Sequence, residues 1–196
     1  MDSIRIMPNS ESNDEERTRK GVRDAILSLS SEIRPCNLTV TAVCKKAGIS
    51  RGTFYNYYHC IDEAVDDTLD YIITTENGEP PYRCMTDDGE YNCPYGICDI
   101  VLEHPEYGPL LFDEALSGRV VERISDACKA KYVHELTRCH DITPGQAGTI
   151  FDFQLNGCLA VNRRAYGRSP ICIGDNRDTI GEFILAGLRT FGRRTD

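Results

Sequence analysis

Nine consecutive residues hold the densest set of nucleic-acid-compatible side chains in the chain: Ser50-Arg51-Gly52-Thr53-Phe54-Tyr55-Asn56-Tyr57-Tyr58. A guanidinium, two hydroxyls, an amide and three tyrosines within two or three helical turns suit phosphate oxygens and base edges, and an arginine can pair a guanine bidentately. On a helix these residues cannot all face outward. Phe54 and Tyr58 are expected to turn inward and seal a small core, leaving Arg51, Thr53, Asn56 and Tyr57 to project.

A second candidate chemistry is that of sulfur. Ten cysteines are scattered at positions 36, 44, 60, 84, 93, 98, 128, 139, 158 and 172, and none stands in the CxxC spacing of a zinc knuckle or a thioredoxin-like site. The polar, acidic stretch from Met1 to Glu16 carries no basic region followed by an apolar run, and no run of about 18 apolar residues occurs. The expectation is therefore a cytoplasmic protein with reduced thiols and no membrane span. Cys44, Cys128 and Cys158 are expected to fill small apolar gaps. A rival reading gathers Cys84, Cys93, Cys98, Cys128 or Cys139-His140 into a thiol- or metal-responsive sensor. Cys139 and His140 are neighbours and point apart on a helix, which argues against a catalytic pair. With no catalytic constellation and no Gly-rich phosphate loop, neither an enzyme nor a cofactor is expected.

The elements that must position the Ser50–Tyr58 segment are legible around it. The 196 residues carry a formal charge of -9, which argues against a protein that coats nucleic acid along its whole surface. That charge is unevenly spread: Arg17 to Cys60 holds eight basic against two acidic residues, whereas Ile61 to the end holds 13 basic against 24 acidic. A basic N-terminal module is thus attached to an acidic remainder, and a nucleic-acid partner is suggested for the module alone. Val22, Ala25, Ile26, Leu29 and Ile33 recur at helical spacing and predict a helix from about Asp14 to Glu32. Thr39 fits the N-cap of a second, short helix through Val40, Val43, Cys44 and Ala47, which Gly48 closes by taking the left-handed conformation. Ser50 fits the cap of a third. Two short helices joined by a glycine-containing turn form the layout of a helix-turn-helix.

Thr39 to Glu63, TVTAVCKKAGISRGTFYNYYHCIDE, resembles the DNA-binding motif of the TetR family of bacterial repressors. Ala47-Gly48-Ile49-Ser50, Arg51-Gly52-Thr53-Phe54-Tyr55 and the aromatic Tyr58 match the family pattern. By position on the motif the resemblance implies base-edge contacts from Arg51, Thr53, Asn56 and Tyr57, Arg51 being equally able to meet a phosphate, with Gly52 as the small hinge of the motif. It implies backbone contacts from Thr39, Thr41, Lys46, Ser50, Tyr55 and His59. Two positions depart from the pattern. Tyr58 replaces the usual phenylalanine, and Ile61 occupies the place of a lysine that, in the family, holds a phosphate at the start of the fourth helix. Without that anchor, and with Asp62, Glu63, Asp66 and Asp67 following, affinity at a given salt is expected to fall.

Asn77-Gly78, Pro80-Pro81 and Asp87-Asp88-Gly89 mark a linker over 76–92 between a DNA-binding domain at 14–75 and a second domain at 93–196. The second domain is expected to be all-α, with helices near Tyr95–Glu103, Leu110–Leu116, Arg119–Cys139, Pro144–Tyr166 and Arg177–Arg193. Apolar residues surround nearly the whole circumference of the helix through Ile150 to Val161, and Gly157 and Gly187 are placed to allow close backbone approach. The resemblance implies a homodimer through the two last helices, an inverted-repeat DNA operator and a small-molecule effector bound in the second domain. Phe112, Phe151, Gln154 and Asn156 are the candidate pocket residues. The expected function is a ligand-released transcriptional repressor; the alternatives are the sensor above and a helical interaction protein without DNA binding.

Overall fold

The computed structural model describes residues 10–74, 97–166 and 170–192; the expected linker, with Cys84 and Cys93, lies outside them. Every regular element among the described residues is a helix, so the fold is all-α. The chain divides into two compact units, the first reaching Thr68 and the second beginning at Leu69.

In the first unit, α1 (Ser10–Ser30) begins four residues ahead of the expected Asp14. It buries Val22, Ala25, Ile26 and Leu27, while Ile33 lies past its end and is exposed, the final turn closing with Glu32 and Ile33 N–H groups on the Leu29 carbonyl. A 3-10 turn at Pro35–Asn37 leads into α2 (Val40–Ala47), which packs on α1 and on α3 (Arg51–Tyr55). The caps explain why such short helices form at all. Thr39 Oγ1 accepts the Ala42 N–H at 3.2 Å, and Ser50 Oγ accepts the Thr53 N–H at 2.9 Å, each satisfying an orphan donor at a cost, if lost, of about 1 kcal/mol. Between them Gly48 takes φ +70°, a conformation that residues with a Cβ rarely adopt. α4 (Ile61–Ile73) buries Ala64, Val65 and Thr68 in the first unit, and its last residues, with Leu69, Ile72 and Ile73 buried, belong to the second.

The second unit contains α5 (Ile97–Glu103), α6 (Gly108–Leu111), α7 (Ser117–Cys139), α8 (Pro144–Ala165) and α9 (Pro170–Leu188). Its centre is the α7 and α8 pair, where Val120, Ile124, Cys128, Tyr132 and Leu136, each four residues after the last, meet Ala147, Phe151, Leu155, Cys158 and Leu159. α8 starts with a full capping box: Thr143 Oγ1 accepts the Gln146 N–H, and Gln146 Oε1 accepts the Thr143 N–H at 2.8 Å. Pro144 follows at the first helical position, where a missing N–H costs nothing.

Two expected elements differ. The helix over Leu110–Leu116 is instead a four-residue α6 followed by a turn, because the Asp113 carboxylate accepts the Ala115 N–H at 2.8 Å and offers the backbone a non-helical partner. α9 begins at Pro170 rather than Arg177. Gly174-Asp175-Asn176 reads as a breaker, yet a glycine inside a helix costs only about 1 kcal/mol, which a packed helix absorbs. Among the described residues, no helix is long and apolar enough to cross a membrane.

Candidate nucleic-acid interface

The short α3 sorts its side chains as a helix of that length must. Phe54 is fully buried and Tyr58, just beyond it, is 1% exposed, their rings 5.3 Å apart. Both are core residues, as the inward reading expects. Arg51, Gly52, Tyr55 and Asn56 are exposed, Thr53 and Tyr57 partly so. Asn56, expected within the helix, is its C-cap, with its N–H on the Gly52 and Thr53 carbonyls. Thr39, Thr41, Lys46 and Ser50 are exposed around the turn, joined by Lys45, which no sequence motif singled out.

Arg51 is fully solvated and its pKa is raised, first by a hydrogen bond to the Tyr55 hydroxyl; its charge is therefore permanent at any working pH. Thr53 Oγ1 shares a 2.9 Å hydrogen bond with Ser50 Oγ, which holds both hydroxyls at the start of α3. Cys44 lies beneath this end, its thiol donating to the Ser50 carbonyl at 3.8 Å. Burial pushes that thiol's pKa up, so it is a packing group and not a nucleophile.

Behind the exposed face lies a polar cluster that the sequence reading missed. The Tyr58 hydroxyl, the atom that a phenylalanine would lack, donates to Asp67 Oδ2 on α4 at 2.7 Å. Arg19 of α1 sits over the Tyr58 and Tyr57 rings at 5.2 and 5.7 Å, and its guanidinium also pairs with Glu15 at 3.1 Å. Arg23, nearly buried, pairs with Glu16 and lies 3.9 Å from Asp67. Burial, and then the Asp67 carboxylate, push the Tyr58 pKa up, so its hydroxyl stays protonated and remains a donor. Tyr58→Phe and Asp67→Ala are each expected to cost about 1–3 kcal/mol in urea unfolding. The double variant should fall short of the sum by about 1 kcal/mol; strict additivity would show the two groups to be independent.

At the N-terminus of α4 the Glu63 carboxylate accepts the His59 backbone N–H at 2.6 Å and meets the His59 ring nitrogen at 2.9 Å. The backbone hydrogen bond is the first cause of the lowered Glu63 pKa. Glu63 therefore remains ionised further into acid than an ordinary glutamate, and the stabilisation from its cap is lost only as pH falls through that lowered value. The consequence for His59 is specific. An N–H that could have met a phosphate is already occupied by a carboxylate, and no lysine stands at Ile61 to offset it.

The expected pocket residues separate. Phe112, Phe151 and Gln154 are buried, with Tyr132 donating to Gln154 Oε1 at 2.9 Å and its ring 5.3 Å from Phe151. Asn156 does not join them: it is exposed on the other side of α8 and its Nδ2 donates to the Asp152 carbonyl at 2.8 Å. Among the described residues no group of three or more His, Cys, Asp or Glu side chains could hold a metal ion; Cys84 and Cys93 of the sensor reading lie outside them. His140 is buried against the Gly192 carbonyl at 3.1 Å, whereas Cys139 is partly exposed. In comparison with known proteins, no family model matches the chain and no curated protein matches it.

Proposed function

We propose that the chain is a sequence-specific, dimeric DNA-binding transcriptional regulator of the TetR type, whose first unit lays α3 in the major groove. The observation that carries this is the division of the Ser50–Tyr58 segment. Every side chain that could meet a base edge, Arg51, Thr53, Asn56 and Tyr57, has an accessible surface, while Phe54 and Tyr58 anchor the segment from behind. Lys45, Lys46, Thr39 and Thr41 flank it as candidate phosphate contacts.

A single α3 reads only a few base pairs, so a twofold dimer doubles the site and imposes an inverted repeat. Support for self-association comes from α8 and α9. Phe153 is 67% and Phe183 69% exposed, and small residues lie beside them: Gly157 and Ala160 on α8, Ala186 and Gly187 on α9. A Cβ at Gly157 or Gly187 would meet nothing within 4 Å in the single chain, so both leave room for a partner's backbone. Isologous pairing of this surface covers aromatic area that would otherwise stay in water. The second unit is the sensor, and its ligand releases DNA by binding one dimer geometry better than the other.

The missing phosphate anchor yields a gain-of-function prediction. Ile61→Lys should tighten binding to a random-sequence duplex pool at low salt and steepen the dependence of log K on log salt by about 0.9, one added phosphate contact. An unchanged slope would place the start of α4 away from the DNA backbone. The direct test of the function is retention of duplex DNA by the full chain at two salt concentrations, with no retention at low salt refuting it.

A further inference from the structure

Tyr57 lies past the last residue of α3, in the turn that leads to α4. Its N–H bonds to the Phe54 carbonyl at 3.0 Å, but the helix does not continue to crowd its side chain into one rotamer. A ring placed there keeps one orientation only if a group from outside α3 holds it. That group comes from α1. The Arg19 guanidinium stands 5.7 Å from the Tyr57 ring centroid and 5.2 Å from that of Tyr58, both within cation–π reach. Tyr58 is core and Tyr57 is partly exposed, so one guanidinium bridges the buried and the solvent-facing parts of the segment.

Arg19 is itself fixed from two sides. The Glu15 carboxylate, one turn back on α1, accepts its Nε–H at 3.1 Å, and Asp67 of α4 lies 3.9 Å from its Nη1. A planar guanidinium can lie against rings with its faces while its edges meet carboxylates; a lysine ammonium is a point charge that cannot do both. The rival role for Arg19 is direct contact with a phosphate, and the local charge opposes it. Glu15 and Asp67 flank Arg19, and Glu16 with Asp67 flanks Arg23 one turn further on, so a phosphate arriving there would meet three carboxylates.

We propose that Arg19 is a positioning residue for DNA reading: it clamps the Tyr57 ring and thereby sets the preference for one base pair beyond the end of α3. This role rests on the DNA-binding reading of the segment. Selection from a random duplex pool with the full chain tests it. Tyr57→Ala should relax one base pair in each half-site, and Arg19→Lys and Arg19→Gln should relax that same base pair about fivefold, the low end of what one position contributes. The dependence of log K on log salt should keep its slope in both Arg19 variants, because no phosphate contact is lost. An Arg19→Gln variant with unchanged sequence preference and a slope lower by about 0.9 would make Arg19 a phosphate contact and overturn the proposal. Relaxation at a different base pair, or at none, would overturn it too. Should an Arg19 variant fail to fold, Glu15→Gln, at a half-exposed carboxylate that holds Arg19, decides by the same base pair.

A second readout needs no DNA. In urea unfolding, Arg19→Gln and Tyr57→Leu should be coupled by about two- to fivefold in the folding constant, as a cation–π pair near the surface requires, and strict additivity would remove the clamp. A chain that shows this coupling but enriches no sequence would keep Tyr57 clamped and remove the DNA reading, so the two failures are distinct.

Discussion

Phe54→Ala is expected to cost about 3–5 kcal/mol, the largest single effect of any side chain near the proposed DNA-facing surface. Phe54 is fully buried, packs its ring 5.3 Å from Tyr58 and meets Tyr55 edge-on at 5.6 Å. α3 has only five residues, too few to be stable by its own hydrogen bonds, so it exists because Phe54 docks it. Set against a typical domain stability of about 5–15 kcal/mol, such a loss removes much of the folded population of the first unit. Urea unfolding followed by circular dichroism checks it. Tyr55→Ala, at a side chain that is nearly half exposed, is the comparison and should cost well under half as much. A Phe54→Ala cost below about 1 kcal/mol would mean that the site collapses around the cavity and that α3 is held in some other way.

The second large effect is on assembly. Phe153→Glu with Phe183→Glu should convert the proposed dimer into monomers, weakening association on the order of a thousandfold or more. Each aromatic ring supplies the area of a typical interface anchor, and twofold symmetry repeats each substitution on the partner, so the new carboxylates are desolvated as well as brought closer to one another. Because both rings are exposed in the single chain, the thermal midpoint of the isolated protomer should barely move, which separates lost assembly from lost folding. Sedimentation equilibrium reads the outcome. A double variant that stays dimeric, or an unmodified chain that is already monomeric at micromolar concentration, would rule out the α8 and α9 surface as the interface.

Local chemistry was legible in the sequence where it acts over a few residues. Thr39 and Ser50 cap because each hydroxyl oxygen reaches the N–H three positions on, and Gly48 turns because glycine lacks the Cβ that disfavours a positive φ; neither needs tertiary information. Phe54 and Tyr58 were assigned to the core for the same reason, four residues apart on one helical face. What failed needed partners distant in sequence. Asp67 read as one more acidic residue at the start of α4, whereas its role depends on Tyr58 and on two arginines of α1. In α8 the apolar residues surround the helix, so periodicity could not say that Phe153 and Asn156 face outward while Asn162 faces in. The start of α9 was hidden because Gly174-Asp175-Asn176 looks like a stop when packing is unknown.

The measurement closest to the central claim is selection of bound duplexes from a random pool by the full chain at low and moderate salt, sequenced for the unmodified protein and for Arg51→Ala and Thr53→Ala. An inverted repeat should emerge, with two half-sites about one helical turn apart or a multiple of it. Each substitution should weaken binding by about 1–3 kcal/mol and relax the sequence at a defined position within each half-site. A pool that stays random at low salt, or an enriched sequence indifferent to both substitutions, would contradict the assignment of α3 as the element that reads DNA.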